Sequence, residues 1–268
     1  MPIILLNGVQ TYYQIDGSGP RTFFLFNGAG CDTQSWGEMA EGLMKFGSIV
    51  RYDARSTGQT KCPNELYNID TLAGDALLLM DYLNIEKAIL VGHAFGGRIA
   101  QIFCRDNPER AQAVILCGTG GYFPPIAVNT NQIEKANYDK NAKREEIFLA
   151  MYTGNGFKAQ HPERARRLLN DFLWTGHRRE SWEIELRQKA TVATPVETYW
   201  GKIPKGLPVL LLYGTEDKFG TSDNARDLNN RLNGSRLTFI DGAGHMAIRE
   251  NPTLLLKEIY KFVIENNL

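Results

Sequence analysis

Apolar residues recur along the chain in two alternating rhythms. Short, nearly continuous apolar runs occupy 22–27, 48–52, 88–91, 113–117, 207–213 and 237–240, the length and density expected of strands buried on both faces. Between them lie longer stretches, 33–46, 68–83, 94–105, 222–232 and 252–265. There apolar residues return every three or four positions, as on a helix with one buried face. Asp70 stands near the start of the stretch 68–83, where an acidic side chain favours a helix N-terminus. Residues 10–15 predict a further strand, set off from 22–27 by the turn Asp16-Gly17-Ser18-Gly19-Pro20, and Met1-Pro2-Ile3-Ile4-Leu5-Leu6 reads as a first edge strand. Strand alternating with helix predicts the α/β class, a mostly parallel central sheet covered by helices on both faces.

The rhythm changes between 121 and 205. No strand is predicted there. The segment is helical in propensity, charged, and carries aromatics from Tyr138 to Trp200. It is expected to form a helical cap, or lid, inserted into a core domain made of 1–120 and 206–268. No internal repeat and no low-complexity segment interrupts this pattern.

Composition narrows the partners. With 268 residues, 43% of them hydrophobic, the chain is long enough for one large α/β domain or two small ones. Thirty Lys and Arg balance thirty Asp and Glu, so no net field draws nucleic acid or an anionic membrane, and neither is expected as a partner. No apolar run approaches the roughly 18 residues of a membrane span. The N-terminus lacks the basic segment and small-residue cleavage site of a signal peptide. Cys31, Cys62, Cys104 and Cys117 form no C-x-x-C pair and no disulfide framework, which favours a reducing, cytoplasmic setting. The sequence carries no signal for an oligomeric state.

The chemistry concentrates where strands end. Ala88-Ile89-Leu90-Val91-Gly92-His93-Ala94-Phe95-Gly96-Gly97 reads as a buried strand, a tight turn and a helix start. Gly92 and Gly96 flank the central Ala94 at two residues' distance, the spacing that lets a strained residue rise above a sheet while helix and strand pack closely. The glycines do not make G-x-G-x-x-G, so a dinucleotide loop is a poor fit. Of the four histidines, His93 lies inside the turn and is expected to pack beneath it, and His161 and His177 are expected to be solvated. His245, in Asp241-Gly242-Ala243-Gly244-His245-Met246 after a late strand, is the candidate base. The candidate acid is Asp217, which follows the strand 207–213 and can hold one imidazole nitrogen; Glu216 is its competitor. The backbone N–H groups of Phe95 and of Ala29, the latter in Asn27-Gly28-Ala29-Gly30, are the candidate oxyanion donors. Phe148, Phe172, Trp174 and Met246 are expected to face substrate. No metal and no organic cofactor is implied.

These motifs, in this order, resemble the α/β-hydrolase superfamily and its serine esterase and lactonase branch. The resemblance covers nearly the whole chain. Asp53-Ala54-Arg55-Ser56-Thr57-Gly58 is similar to the family's D-x-R-G-x-G turn with serine for glycine, and Asn27-Gly28 to its oxyanion loop with asparagine for histidine. The resemblance implies a triad of nucleophile, Asp217 and His245, with alanine where the nucleophile belongs. His93 before and Phe95-Gly96-Gly97 after favour serine over the aspartate of dehalogenases and epoxide hydrolases. The implied activity is hydrolysis of a carboxylic ester or lactone, the partner a small apolar or ring-bearing molecule. An intact His245 and Asp217 beside Ala94 favour a deliberate serine-to-alanine change and a nearly inactive chain. The alternatives are a natural pseudoenzyme that binds a small ligand, and a cofactor-free lyase, cyclase or isomerase, or a carbon–carbon bond hydrolase, working through His245.

Overall fold

Eight strands form one sheet in the order β1-β2-β4-β3-β5-β6-β7-β8. They are β1 (Ile3–Leu6), β2 (Val9–Asp16), β3 (Thr22–Phe26), β4 (Ser48–Tyr52), β5 (Ala88–His93), β6 (Ala111–Cys117), β7 (Val209–Gly214) and β8 (Arg236–Ile240). β2 runs antiparallel to β1 and β4, and every other pairing is parallel. The description comes from a computed structural model and covers residues 2–120, 142–174 and 180–268, without the side chains of 142–144, 173 and 174. Tyr138, His177 and the side chain of Trp174 lie outside the described residues.

The sheet divides the core because successive side chains on a strand point to opposite faces. From β3, Phe24 and Phe26 join Leu90 and Leu116 on one face, under α2 (Ile69–Tyr82), α3 (Phe95–Asp106) and α8 (Ser222–Arg231). Phe23 and Leu25 join Val91 and Ile115 on the other, under α1 (Glu38–Leu43) and α10 (Pro252–Glu265). β5 is buried at all of its six residues, as its uninterrupted apolar run requires. Each such side chain contributes about 2 kcal/mol of apolar burial.

Between β6 and β7 the described residues are helical: α4 (Ala142–Tyr152), α5 (Phe157–Gln160), α6 (Pro162–Leu169), a π-turn (Asn170–Trp174) and α7 (Ser181–Ala193). One local expectation is corrected. The helix expected over 33–46 is broken into a 3₁₀ turn (Thr33–Trp36) and α1 by Gly37 at φ 44°, where the Arg249 guanidinium fills the space a side chain would need. The cap of α2 is Asn68, whose side chain accepts from the Thr71 N–H. Asp70 stands in the first turn of α2 as expected, and accepts from Arg105 at 2.8 Å and Thr194 at 3.1 Å.

β3 connects outward to β4 on one side, while β5 begins the march to β6, β7 and β8 on the other. The carboxyl ends of β3 and β5 therefore flank the point where the winding reverses, the place where open α/β sheets leave a crevice. Ala94 stands there at φ 50° and ψ −115°, between β5 and α3. Its N–H donates to the Cys117 carbonyl at 2.9 Å, carrying the β5–β6 ladder one residue beyond the strand. The turn closes because backbone meets backbone. A Cβ on Gly92 would lie 2.5 Å from the Gly97 Cα, and one on Gly96 would lie 2.0 Å from the Phe26 carbonyl oxygen.

Neighbouring substitutions at this turn should act in opposite directions. Gly96→Ala forces the start of α3 away from β3 and should destabilise the protein by about 3 kcal/mol or more, as overpacking against rigid backbone does. Ala94→Gly relieves a strain of about 1–3 kcal/mol, less the entropy glycine loses on folding, and should raise Tm by roughly 2–4 °C. Thermal melts of both variants check the pair; an Ala94→Gly protein that melts below the parent would contradict the strain.

Candidate active site

Asp217 and His245 arrive from separate loops. Asp217 lies three residues past β7, in a turn where its Oδ1 accepts the N–H groups of Phe219 (2.8 Å) and Gly220 (2.9 Å). Those donors fix the carboxylate and offset its burial, for the residue is only 6% exposed. The His245 Nδ1 sits 3.0 Å from both carboxylate oxygens. With Nδ1–H donating to Asp217, Nε2 is left as the proton-accepting nitrogen. Glu216, the competing acid, is half-buried and accepts instead from the Asn155 N–H of the helical insertion.

His93 lies beneath the turn. Its Nε2 is 3.0 Å from the His245 carbonyl and the two rings are 5.1 Å apart. Its Nδ1 is buried with no hydrogen-bond partner among the described residues. Burial first, then the His245 charge, lowers this imidazole to about 4, against upward pulls from the bond to His245 and from Asp217. His93 is thus a neutral donor that holds the histidine loop by its backbone. His161 is exposed between α5 and α6.

The loop 27–30 closes the other side. The Asn27 Nδ2 donates to the Tyr52 carbonyl at 2.8 Å, and Oδ1 accepts the Trp36 indole N–H at 2.6 Å, so Asn27 ties loop to strand. Gly28 faces the turn: a Cβ there would lie 3.6 Å from the Ala94 methyl and 3.1 Å from the His93 Nδ1. Ala29 follows, exposed. Phe95 is the first residue of α3, where helix N–H groups have no intrahelical acceptor and the helix dipole is positive. An anion above Ala94 would meet these donors.

The insertion reaches the histidine through rings. Phe219 packs 4.7 Å from the His245 ring, and Tyr152 stacks on Phe219 at 4.9 Å. Phe148 stacks on Tyr152 at 4.7 Å and meets Phe172 at 6.0 Å. Phe148 and Phe172 therefore belong to one aromatic ladder ending at His245. Met246 is buried in the histidine loop, its N–H donating to the Tyr152 carbonyl at 2.8 Å. Tyr152 and Phe219, not singled out from the sequence, carry the ladder's middle rungs. Glu250, which with Asn251 and Pro252 resembles the family's helix start after the histidine loop, gains a role from the structure. Buried at 2% exposure, it accepts the Gly244 N–H at 2.9 Å and the Gly154 N–H at 2.7 Å. Burial pushes its carboxyl up to about 7, the Gly154 and Gly244 N–H groups pull it down, and Asp217 and Glu216 push it further up. Among the described residues, no group of three or more His, Cys, Asp or Glu is placed to hold a metal ion. No helix among them is long and apolar enough to cross a membrane.

A sheet wound this way, with a helix springing from one strained residue at its switch point, is the fold of the α/β hydrolases. A family model described as alpha/beta hydrolase fold matches residues 22–252, and the chain belongs to that family. An Agrobacterium fabrum protein named as a carbamate hydrolase is 26% identical over 262 residues, covering 95% of this chain and 97% of its own. A proline iminopeptidase of Lactobacillus helveticus is 26% identical over 270 residues, covering 91% of this chain and 90% of its own. The crystal structure of the enol-lactonase from Burkholderia xenovorans superposes with a TM-score of 0.84 at 25% identity, covering 98% of this chain and 100% of that one. Family and relatives together place the chain among hydrolases.

The two shifted groups give stability opposite pH slopes. His93, with an ordinary value of 6.5, stays neutral in the folded chain down to about 4. The unfolded chain then binds the extra proton, so stability is lost as pH falls from 6.5 toward 4. Glu250, with an ordinary value of 4.5, binds its proton in the folded chain up to about 7. Its contribution is complete below 4.5 and is lost as pH rises toward 7. Relative to the parent, Glu250→Gln should become acid-sensitive below pH 6.5, and His93→Asn should lose stability from pH 4.5 to 7. Denaturation midpoints across that range check both; parallel curves for all three proteins would refute the assignment.

Proposed function

We propose that this site hydrolyses carboxylic esters or lactones by an acyl-enzyme route, and that Ala94 stands where a serine belongs. The observation carrying this reading is the turn itself: residue 94 is held at positive φ at the switch point, in a chain whose His245 already binds Asp217. With a hydroxyl at 94, its oxygen attacks the acyl carbon while the His245 Nε2 takes its proton. The Phe95 and Ala29 N–H groups hold the oxyanion, and His245 returns the proton to the leaving oxygen. Water then attacks the acyl group, with His245 again as base, and the acid leaves. The route calls for no metal or organic cofactor.

The ladder from Phe172 to Phe219 supports an apolar or ring-bearing substrate, enclosed by the helices α4 to α7 as a cap. The similarity to an enol-lactonase favours a lactone within that class. That Cys31, Cys62, Cys104 and Cys117 form no disulfide supports a cytoplasmic setting. A second reading has its own support. The Asp217–His245 pair is complete without a hydroxyl and could activate water directly on a labile carbonyl.

Ala94→Ser should raise kcat toward aryl esters and lactones by several orders of magnitude, up to about 10⁶. The variant should give a burst of the released alcohol, and His245→Ala should abolish the gain. An intact variant no faster than its parent on the whole panel would sink the acyl-enzyme reading. A parent rate that His245→Ala removes would favour direct activation of water.

A further inference from the structure

We propose that Glu250 is a positioning residue that couples the helical insertion to His245. The proposal rests on the reading of His245 as the base of the reaction. Glu250 closes the short helix α9 (Ala247–Glu250), just beyond the histidine loop. Its carboxylate turns back and accepts two backbone N–H groups from segments far apart in the chain. Oε1 takes the N–H of Gly244, the residue before His245. Oε2 takes the N–H of Gly154, in the turn that follows α4. On the other side of the histidine, the Met246 N–H donates to the Tyr152 carbonyl, from the end of α4.

His245 is therefore bracketed. The amide before it is held through Glu250, the amide after it directly by Tyr152, and both holds lead into one turn, 152–154. That turn lies on the loop at backbone contact: a Cβ on Gly244 would fall 2.4 Å from the Thr153 carbonyl carbon. The Tyr152 ring also comes within 5.9 Å of the His245 ring. A third tie runs from α6, where the Arg164 Nη1 donates to the Glu250 carbonyl at 3.1 Å. The His245 carbonyl, in contrast, is anchored to the core by His93.

The side-chain chemistry fits the bridge. Above pH 7, where Glu250 is ionised, its carboxylate presents two acceptor oxygens in one plane; an amide of the same shape offers one acceptor and turns two N–H donors toward the other amide. Glutamine at 250 must therefore release Gly244 or Gly154, or set N–H against N–H. A shift of the turn 152–154 is passed to Gly244 through one rigid group, and the imidazole moves relative to Asp217. The position of the insertion then governs the base, with no contact between Glu250 and substrate.

The test uses the full chain and two readouts. In the Ala94 chain itself, at pH 8 where Glu250 is ionised, proton NMR reads the low-field His245 Nδ1–H resonance shared with Asp217. In the Ala94→Ser background, kcat and KM are measured on an aryl ester. Glu250→Gln should displace or broaden that resonance and lower kcat at least tenfold, with KM changed less than threefold. Glu250→Asp keeps the charge but is one methylene short, so it should act in the same direction with a smaller effect, and it serves where the glutamine variant does not fold. A folded variant of either kind with an unchanged resonance and kcat within twofold overturns the proposal, even if its Tm has fallen. If Ala94→Ser is inactive while the resonance still responds to Glu250, the hydrolase reading fails and the coupling stands.

Discussion

The approach of α3 to the ends of β3 and β5 is the constraint on which the site depends. Gly96 lets the first turn of the helix touch the Phe26 carbonyl, and Gly92 and Gly97 let helix and strand meet at their backbones. Ala94 at φ 50° costs on the order of 1–3 kcal/mol. Phe95, Ile99, Ile102 and Phe103, all buried on α3, offset that several times over at about 2 kcal/mol each. The conformation at 94 is thus imposed by packing on both sides and does not depend on the side chain at 94. An alanine can occupy the turn without altering it.

From that point the site is assembled by loops that borrow rigidity from one another. Asp217 is fixed by two N–H groups of its own turn, and His245 by Asp217 at the ring and His93 at the carbonyl. The loop 27–30 is fixed by Asn27, which spans β4 and the indole of Trp36. Arg249 and Glu250 extend this scheme to the insertion. The Arg249 guanidinium donates to the Gln34 and Ser35 carbonyls at 3.2 Å and to the Asp171 carboxylate, while Glu250 spans Gly244 and Gly154. Two adjacent side chains on one short helix thereby join both halves of the site to the insertion above it.

What could be read from the sequence divides along physical lines. The parallel sheet was legible because strands buried on both faces leave unbroken apolar runs, as in 88–91 and 113–117. The turn at 94 was legible because close backbone approach admits only glycine at fixed offsets. The meeting of Asp217 with His245 was anticipated from their places after late strands, since parallel strands bring their carboxyl ends to one edge. Long-range side-chain contacts left no such mark. Nothing near Gly37 announces that Arg249 will fill the space beside it and break the helix expected over 33–46. Nothing local to Glu250 announces a partner at Gly154, since the Gly154 donor is a backbone amide that any residue but proline supplies. Tyr152 and Phe219 lie on different segments, and their stacking follows from the fold alone.

The energetics bear on what Ala94 means. Stability alone does not call for a residue held at positive φ, a carboxylate buried at 6% exposure, or an imidazole nitrogen buried without a partner among the described residues. Each of these raises the free energy of the folded chain, and apolar side chains of similar volume would fill the same space at less cost. Strained and desolvated groups gather where a reaction or a ligand uses them. Here they gather where the sheet ends: the Asp217 carboxylate holds the His245 imidazole, and His93, next in sequence to Ala94, holds the His245 carbonyl. Under the proposed reading, these costs around position 94 are the ones a hydroxyl at that position would use.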